Sequence, residues 1–281
     1  MISRHNLQLP FKLSIIKLFI PTGIDIYLFT HKSKYIIMKT FLTFGLSMCL
    51  ALCSYGQLSI DVEGNYVVGI PYNEVRIPSK GGTLVDIAKD LEPENTFTFR
   101  ARVNYTIAER HVISALAAPL SISSSGTFDK DVRYSDRTFN AGTTVKTTYK
   151  FNSYRITYRY LFVSNEHLKI GAGLTGKIRE ANITFENSDG SADDPDLGFV
   201  PLVNFYVHWK PTDNFGLLLE GDALGTKQGR AEDVFAGITY DISEKFSLKG
   251  GYRVLEGGAD VTENYNFAWI NYAALGAVIS F

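Results

Sequence analysis

The chain has 281 residues, of which 20% are charged and 13% aromatic, with 28 Lys and Arg against 29 Asp and Glu. Setting aside the six basic residues and one acidic residue before Gln57 leaves 22 basic and 28 acidic residues, a net charge of −6, which argues against nucleic acid as a partner. Both cysteines, Cys49 and Cys53, also lie before Gln57, so the rest of the chain offers no disulfide and no thiolate metal site.

Residues 38–56 have the pattern of a secretory signal peptide. Lys39 precedes an apolar run over residues 41–53, and small side chains occupy the positions one and three before a predicted cleavage at Gln57. The run is too short to cross a bilayer core of about 30 Å as a helix. The sequence therefore predicts that the mature protein is exported.

We interpret residues 1–37 as an upstream extension that is not translated, with the true start at Met38. An unusually long leader is the alternative. Residues 50–53 also weakly match a lipoprotein cleavage box with Cys53 as the lipidated residue, although Leu52 is bulky for that role. In either case residues 57–281 are expected to form a single domain.

From Gln57 onward, apolar and polar side chains alternate with a period of two in ten stretches, which predicts β-strands. The predicted strands are 58–68, 96–108, 111–124, 147–162, 168–185, 198–210, 215–224, 233–242, 246–255 and 268–281. Pro201 lies inside the sixth, where we expect a bulge or weak pairing.

The connections between the predicted strands alternate in length. Tight turns lie near residues 109, 165, 212 and 244, whereas the longer connections span residues 71–95, 125–145, 187–196 and 256–266. A short helix is expected within residues 83–91, in a segment outside the main sheet. Residues 125–145 are rich in Ser, Thr, Asp and Gly, which indicates a solvent-exposed loop.

The last stretch, residues 268–281, alternates larger and smaller apolar side chains and ends on Phe281. It resembles the closing strand of bacterial outer-membrane β-barrels, and the whole pattern resembles the small barrel families typified by OmpA and OmpX. The resemblance implies an all-β fold, namely a closed antiparallel up-and-down transmembrane barrel. We expect about ten strands, within a range of eight to twelve. It also implies an outer-membrane location, with membrane lipid and the barrel assembly machinery as partners and Phe281 as an assembly signal.

A soluble sandwich or lipocalin-like barrel would also alternate, but its apolar face would point inward. Aromatic side chains near both ends of the strands favour the membrane interpretation, because such barrels carry an aromatic girdle at each interface. The expected girdle residues are Tyr105, Tyr160, Phe162, Trp209, Phe215, Tyr240 and Phe246 near the turns, and Tyr66, Phe97, Tyr154, Phe199, Tyr252 and Trp269 near the loops.

In a membrane barrel the opposite, charged face lines the lumen. The candidate lumen residues are Asp61, Glu63, Arg100, Arg102, Arg155, Arg159, Lys169, Lys177, Arg179, Glu220, Asp222, Asp233, Asp241, Lys249 and Arg253. Ten strands leave a narrow interior, so basic and acidic groups of opposite walls can pair across it. We hypothesise a lumen plugged by a salt-bridge network, and the alternative is a narrow conduit for small ions.

The sequence gives little support for catalysis and indicates no cofactor. The three histidines after Gln57, His111, His167 and His208, lie at or beside the short turns, so the catalytic arrangements of outer-membrane enzymes cannot be transferred to this chain. Glu220 and Asp222 could act as paired carboxylates, but counter-charges for the basic wall are the favoured interpretation.

No metal site is expected, although four carboxylates of the predicted loop 187–196 are oxygen ligands of the kind that Ca²⁺ prefers. They are Asp189, Asp193, Asp194 and Asp196.

We therefore expect a structural or surface-interaction role, in which loops 71–95 and 125–145 contact an extracellular ligand or partner. The alternative is a porin-like narrow channel that uses the charged lumen, and a lipid-modifying enzyme is the least favoured option.

Overall fold

The computed structural model describes the backbone of residues 16–18 and 26–28 and the whole of residues 56–281. The chain divides into two units, Met1–Tyr55 and Gly56–Phe281. In the first, the strands Ile16–Leu18 and Ile26–Leu28 pair antiparallel. The rest of the predicted extension, the lipoprotein box and the signal peptide up to residue 55 lie outside the described residues.

The second unit is built on ten long strands, which we number β1 to β10. They are β1 (Gly56–Arg76), β2 (Phe97–Ile107), β3 (His111–Ala118, continued by Ser121–Thr127), β4 (Thr144–Ser164), β5 (Leu168–Asn187), β6 (Gly190–Trp209), β7 (Phe215–Thr226), β8 (Gly229–Ser243), β9 (Phe246–Asp260) and β10 (Tyr265–Ser280). Pro119, which has no backbone N–H to donate, lies at the break in β3.

Each strand pairs antiparallel with its neighbours in the chain, and β10 pairs with β1 to close the sheet. The closing register places Ile279 opposite Ile60 and Ala273 opposite Tyr66. The predicted closed antiparallel barrel of ten strands is therefore confirmed. In the part of the chain that the structure describes, no helix is long and apolar enough to cross a membrane.

The alternation of the sequence sorts side chains between the two faces of the barrel. Aliphatic side chains such as Ile156, Leu174 and Leu275 point outward and are exposed. Eleven of the thirteen predicted girdle residues are also exposed on the outside: Tyr66, Phe97, Tyr154, Tyr160, Phe162, Phe199, Trp209, Phe215, Tyr240, Tyr252 and Trp269. We call this outer surface the apolar band. Charged and small polar side chains take the inward positions.

The two ends of the barrel differ as the connection lengths predict. The short connections follow β2, β4, β6 and β8, and the strand ends Gly56 and Ser280 lie at the same end, which we call the turn end. The two longest connections, 77–96 and 128–143, lie at the opposite, outer end, together with the short connections 188–189, 227–228 and 261–264. The predicted loop 187–196 is wrong: β5 and β6 continue through it as a regular hairpin with Asn187 opposite Gly190. Likewise, β9 and β10 extend into the predicted loop 256–266.

The two longest outer connections are folded. The helix α1 (Ile87–Asp90) lies within the predicted helical segment and begins after Asp86, whose side chain accepts a hydrogen bond from the backbone N–H of Ala88. Residues 132–134 and 137–139 form a small hairpin in the second connection. Most residues of the predicted exposed loop 125–145 are exposed, but the prediction missed that this hairpin buries Val132, Tyr134 and Phe139 on one face.

The barrel wall has a gap at its outer end. The β6 strand pairs with β5 along its full length, but it pairs with β7 only between Val203 and Trp209. Its stretch 190–202 therefore has a free edge, and both prolines of β6, Pro195 and Pro201, lie there, as expected for an edge strand. Pro201 causes no register shift against β5, so the predicted bulge is absent and the weak pairing lies on the β7 side.

Candidate functional site

Charged side chains from seven strands meet in the middle of the barrel. We call them the ion-pair layer: Asp61, Glu63, Arg100, Arg102, Arg155, Arg159, Lys177, Glu220, Asp222, Asp233, Lys249 and Arg253. All but Arg102 are buried. Buried charges are tolerated when they are paired and hydrogen-bonded, and most members of this layer meet that condition.

Asp233 of β8 forms the first centre of the layer, with three arginines within 3.0 Å. It contacts Arg155 at 2.6 Å, Arg253 at 2.7 Å and Arg100 at 3.0 Å. Arg155 in turn donates to Asp222 at 2.7 Å, so it bridges two carboxylates that face each other across β7 and β8. One carboxylate thus neutralises cations from three different strands.

Glu63 of β1 forms the second centre. Arg253 donates to both of its oxygens, with Nε at 2.7 Å and Nη2 at 2.9 Å, and the Nζ of Lys249 lies at 2.9 Å. A two-point contact between a guanidinium and a carboxylate fixes orientation as well as charge. These contacts link β1 to β9 across the closing strand β10.

The layer continues toward the turn end through two further acids. Asp61 accepts from Lys249 at 2.8 Å, and Glu220 accepts from Arg102 at 2.6 Å. Glu220 and Asp222, considered above as paired catalytic carboxylates, are both engaged in the ion-pair layer. Asp222 also accepts from Thr175 and Asn204, each at 2.7 Å.

Phe235 is enclosed within this charged layer and is fully buried. The cationic groups of Arg253 and Lys249 lie 5.2 and 5.3 Å from the centre of its ring, within the range of cation–π attraction. Its space is provided by Gly237 and Gly251, because a Cβ at either position would lie 2.6 or 3.0 Å from the ring. Glycines at these strand positions therefore allow the ring to lie flat against the wall.

Three of the predicted lumen residues lie outside the layer. Lys169 is exposed near the turn end. Asp241 is also at the turn end, where it pairs with Lys210 at 2.7 Å. Arg179 lies nearer the outer end and pairs with Asp196. The prediction of one continuous network is therefore corrected, because charges near the two ends of these long strands are too far along the barrel axis to meet its centre.

Above the layer, toward the outer end, the interior is apolar. We call this region the apolar cap, and it consists of Val75, Ile77, Val85, Ile87, Leu91, Leu120, Ile122, Phe128, Val132, Tyr134, Phe139, Val145, Tyr149, Ile183, Phe185, Ala192, Ala268, Ile270 and Tyr272. The folded outer connections supply nearly half of these residues, so they fold inward over the barrel.

Phe185 of β5 is at the centre of the cap and has no exposed surface. It stacks on Tyr134 with ring centres 4.2 Å apart, and Phe139 and Phe128 lie 5.7 and 6.1 Å away. The Tyr134 hydroxyl donates to the carbonyl of Ile183 at 2.7 Å, and its burial raises the pKa of Tyr134. The sequence carried one signal for this inward packing, which is the spacing of four apolar residues in an otherwise polar segment: Phe128, Val132, Tyr134 and Phe139.

Two large cavities lie among the described residues. The turn-end cavity, of about 540 Å³, is lined by Asp61, Arg159 and Glu220 of the layer and by His208, and it reaches the short turn at Asn165. The lateral pocket, of about 350 Å³, lies at the outer end between β6 and the β7–β8 hairpin, and its lining includes Lys177. The ion-pair layer separates the two.

The four aspartates of the segment 189–196 do not form a common site. Asp193 and Asp194 point to opposite faces of β6, Asp196 pairs with Arg179, and Asp189 lies in the turn. Among the described residues, no group of three or more His, Cys, Asp or Glu side chains is placed to hold a metal ion. The histidines also stay apart: His111 contacts Tyr158 at 2.9 Å, and His208 contacts Thr239 at 2.8 Å.

An apolar band around a closed barrel, aromatic girdles at both of its edges and a charged interior are the features of a transmembrane β-barrel of the outer-membrane type. The long strands add to this picture. About 9–11 tilted residues cross a membrane, whereas β1 and β4 each have 21 residues, so both rise well beyond the apolar band.

No protein-family model and no curated protein matches the chain. Solved structures that are similar to it include Ail, the attachment invasion locus protein of Yersinia pestis, with 12% identity over 81% of this chain and 99% of that one and a TM-score of 0.37. The outer membrane protease OmpT of Escherichia coli has 10% identity over 79% of this chain and 97% of that one, with a TM-score of 0.46. OprG of Pseudomonas aeruginosa has 11% identity over 81% and 96%, with a TM-score of 0.30.

Proposed function

We propose that this protein is a sealed barrel of the bacterial outer membrane that presents its folded outer end to a partner outside the cell. The observation that carries the proposal is that side chains occupy the interior at two successive levels. The ion-pair layer crosses the middle of the barrel, and the apolar cap covers its outer end beside the lateral pocket.

The ion-pair layer argues against the alternative of a narrow channel. A conducting lumen needs groups that bind an ion loosely and release it, whereas all five carboxylates of the layer are engaged by cations at 2.6–3.0 Å. Removing one partner of a buried pair leaves an uncompensated charge, which is costly, so the layer resists opening. The apolar cap adds a second barrier, because ions are poorly solvated among aromatic and aliphatic side chains.

Planar-bilayer recording of the purified protein tests the seal. We expect no steady conductance from the wild type. A variant in which a short Gly-Ser linker replaces residues 128–143, combined with Arg102→Ala and Glu220→Ala, is the positive control because it removes parts of both levels. Steady wild-type current that changes with Arg100→Gln or Glu220→Gln would establish the channel instead.

Cysteine labelling on intact cells tests the orientation. Because both native cysteines precede Gln57, a single introduced cysteine can be labelled without background from the barrel. We expect a membrane-impermeant maleimide to label Lys130→Cys in the outer hairpin connection but not Glu166→Cys in a short turn. Labelling of Glu166→Cys alone would reverse the proposed orientation.

Substitution of exposed outer side chains tests the interaction role. Lys130, Arg133 and Thr138 are exposed, whereas the neighbouring Val132 and Tyr134 are buried in the apolar cap. Changing the three exposed residues to Ser is expected to leave the barrel folded and to reduce binding of intact cells to immobilised extracellular proteins and glycans. The matched control makes the same kind of change at Glu166 and Lys245 in the short turns, and equal loss in both variants would contradict the role.

We further propose that Phe281 directs assembly of the barrel into the membrane. Its side chain is 64% exposed and its backbone N–H donates to the Leu58 carbonyl at 2.9 Å, at the seam where the barrel closes. Deleting Phe281 is expected to lower the membrane yield more than any single lumen substitution, with Phe281→Tyr as the conservative control. A normal yield of the truncated protein would refute the assignment.

A further inference from the structure

The gap between β6 and β7 opens the lateral pocket to the outside of the barrel. Pairing between the two strands ends at Val203 and Ala223, and beyond this point the free edge of β6 faces the β7–β8 hairpin. Phe199 and Pro201 of that free edge line the pocket on one side, and Leu224 and Ala231 line it on the other. The pocket is therefore reached through the wall rather than along the barrel axis.

The opening lies at the outer edge of the apolar band. Phe199 pairs with Ile178, which pairs with Tyr154 on the next strand, and all three side chains are exposed on the exterior at this level. Leu197, one outward position further along β6, is 73% exposed. A molecule at the lipid–water boundary of the outer leaflet would thus meet the gap directly.

The pocket contains a cation without a counter-charge. The ion-pair layer holds seven cationic side chains and five carboxylates, and two cations, Arg159 and Lys177, have no carboxylate within 4.0 Å among the described residues. Arg159 is satisfied by Asn204 at 2.7 Å and by the ring of Tyr206 at 4.3 Å. Among the described residues, the contact found for the Lys177 ammonium is the ring of Phe151 at 4.6 Å, although the residue has a relative exposure of only 3%.

The other basic groups of the pocket are already neutralised. Arg179 pairs with Asp196, and Arg230 pairs with Glu256 at 2.7 Å. Most of the remaining lining is apolar and includes Tyr149, Ile183, Leu255 and Ile270, and the carboxylate of Asp194 also lines the pocket. A buried, uncompensated cation among apolar side chains is complementary to an anion that carries an apolar chain.

We propose that the lateral pocket binds a single-chain amphipathic anion of the fatty-acid class, which enters from the outer leaflet between β6 and the β7–β8 hairpin. Its carboxylate lies against the ammonium group of Lys177, and its chain extends along the apolar lining toward the gap. The volume of about 350 Å³ is at the small end of the roughly 300–1,000 Å³ range of ligand pockets, which fits one acyl chain rather than a lipid with several. The site lies on the outer side of the ion-pair layer, with Lys177 of the layer at its inner end, so it does not require an open lumen.

Photocrosslinking of the full-length mature protein in nanodiscs tests the proposal. The probes are dodecanoate and dodecanol that each carry the same diazirine in the chain, and the crosslinked peptides are mapped by mass spectrometry. We expect dodecanoate to label residues 197–202 and 223–231. Dodecanol should label them at least about tenfold less, because it lacks the charge-assisted hydrogen bond that the carboxylate accepts. Equal labelling by the two probes, or competition by inorganic phosphate alone, would overturn the assignment.

Two variants locate the site. Lys177→Met keeps a long apolar side chain without the charge and is expected to weaken dodecanoate labelling at least about tenfold. Ala181→Phe fills the pocket and is expected to abolish it, while Lys169→Met, at the turn end, serves as the matched control. Unchanged labelling in both pocket variants would refute the site, and the acid–alcohol comparison in the wild type decides the question even if a variant does not fold.

Discussion

The ion-pair layer and the apolar cap occupy successive levels of the same lumen, yet they are held together by different forces. The layer joins carboxylates and cations at 2.6–3.0 Å, so its stability depends on the presence of every partner. The cap joins aromatic and aliphatic side chains without charge, so its stability depends on the volume that is filled. The comparison shows that one barrel can be closed by specific pairing at one level and by packing at the next.

The two levels also differ in which parts of the chain build them. The layer uses inward side chains of the strands alone, and its members come from distant parts of the sequence such as Glu63 and Arg253. The cap adds the outer connections, which reach the wall through short pairings such as Val85–Asp86 with β1 and through the Tyr134 hydroxyl rather than through long strand ladders. We therefore expect the layer to unfold together with the barrel and the cap to open locally.

Asp233→Asn is expected to have the largest effect, because it preserves shape but removes a charge that three arginines share. Leaving buried cations without their counter-charge should lower the free energy of unfolding by about 3–5 kcal/mol. Urea unfolding in lipid vesicles, monitored by tryptophan fluorescence, measures this free energy of unfolding. The chain has two tryptophans, Trp209 near the turn end and Trp269 near the outer end, and both should report the same loss.

The matched control is Asp241→Asn, which removes the same charge from a partly exposed pair with Lys210 at the turn end. This substitution should lower the free energy of unfolding by less than about 1 kcal/mol, since water screens such pairs. Equal losses at the two positions would mean that the layer is not held by its charges.

Ile122 distinguishes the cap from the layer, because it is buried and packs at the cap without polar contacts. Ile122→Ala should cost about 2–5 kcal/mol through the cavity it leaves, whereas Ile122→Leu should cost less than about 1.5 kcal/mol. Hydrogen exchange is the suitable measurement, and in Ile122→Ala it should accelerate first in residues 128–143. If Ile122→Leu lowered the free energy of unfolding as much as Asp233→Asn does, the cap and the layer would not be held together by different forces.

Most of the barrel could be predicted from the sequence because strand alternation is a local signal. The ten strands, the closing pair of β1 and β10, and the sorting of short and long connections all follow from side-chain period and turn chemistry. Strand ends were less predictable. Residues 187–196 have the composition of a loop, but β5 and β6 continue through them because their antiparallel register stays unbroken as far as Asn187 and Gly190.

The interior was only partly predictable. The inward charges of β1, β2, β4 and β9 are evident from alternation, but which of them meet depends on the stagger of strands that are far apart in sequence. Lys169, Arg179 and Asp241 were grouped with the rest because they share the inward face, although their depth along the axis separates them. The gap beside β6 is a property of pairing, and its local sign was the two prolines, Pro195 and Pro201.

The smallest effect is expected above the apolar band, where Glu180 accepts from Lys150 at 2.5 Å and from Asn152 at 3.1 Å on the exterior. The hydrogen bonds from Lys150 and Asn152 lower the pKa of Glu180 from its usual 4.5. A carboxylate whose pKa is lowered by folding contributes stability above its unfolded pKa and loses that contribution as the pH falls through the folded value. The urea midpoints of the wild type and Glu180→Gln should therefore differ slightly at pH 7 and converge as the pH drops below the folded pKa. Because the side chains of Lys150 and Glu180 are 41% and 42% exposed, water and salt screen the pair, and 0.5 M NaCl should remove the same difference at pH 7. The loss in Asp233→Asn should persist in salt because its partners are buried. A difference at Glu180 that survived both acid and salt would show that shape rather than charge is what this exposed position contributes.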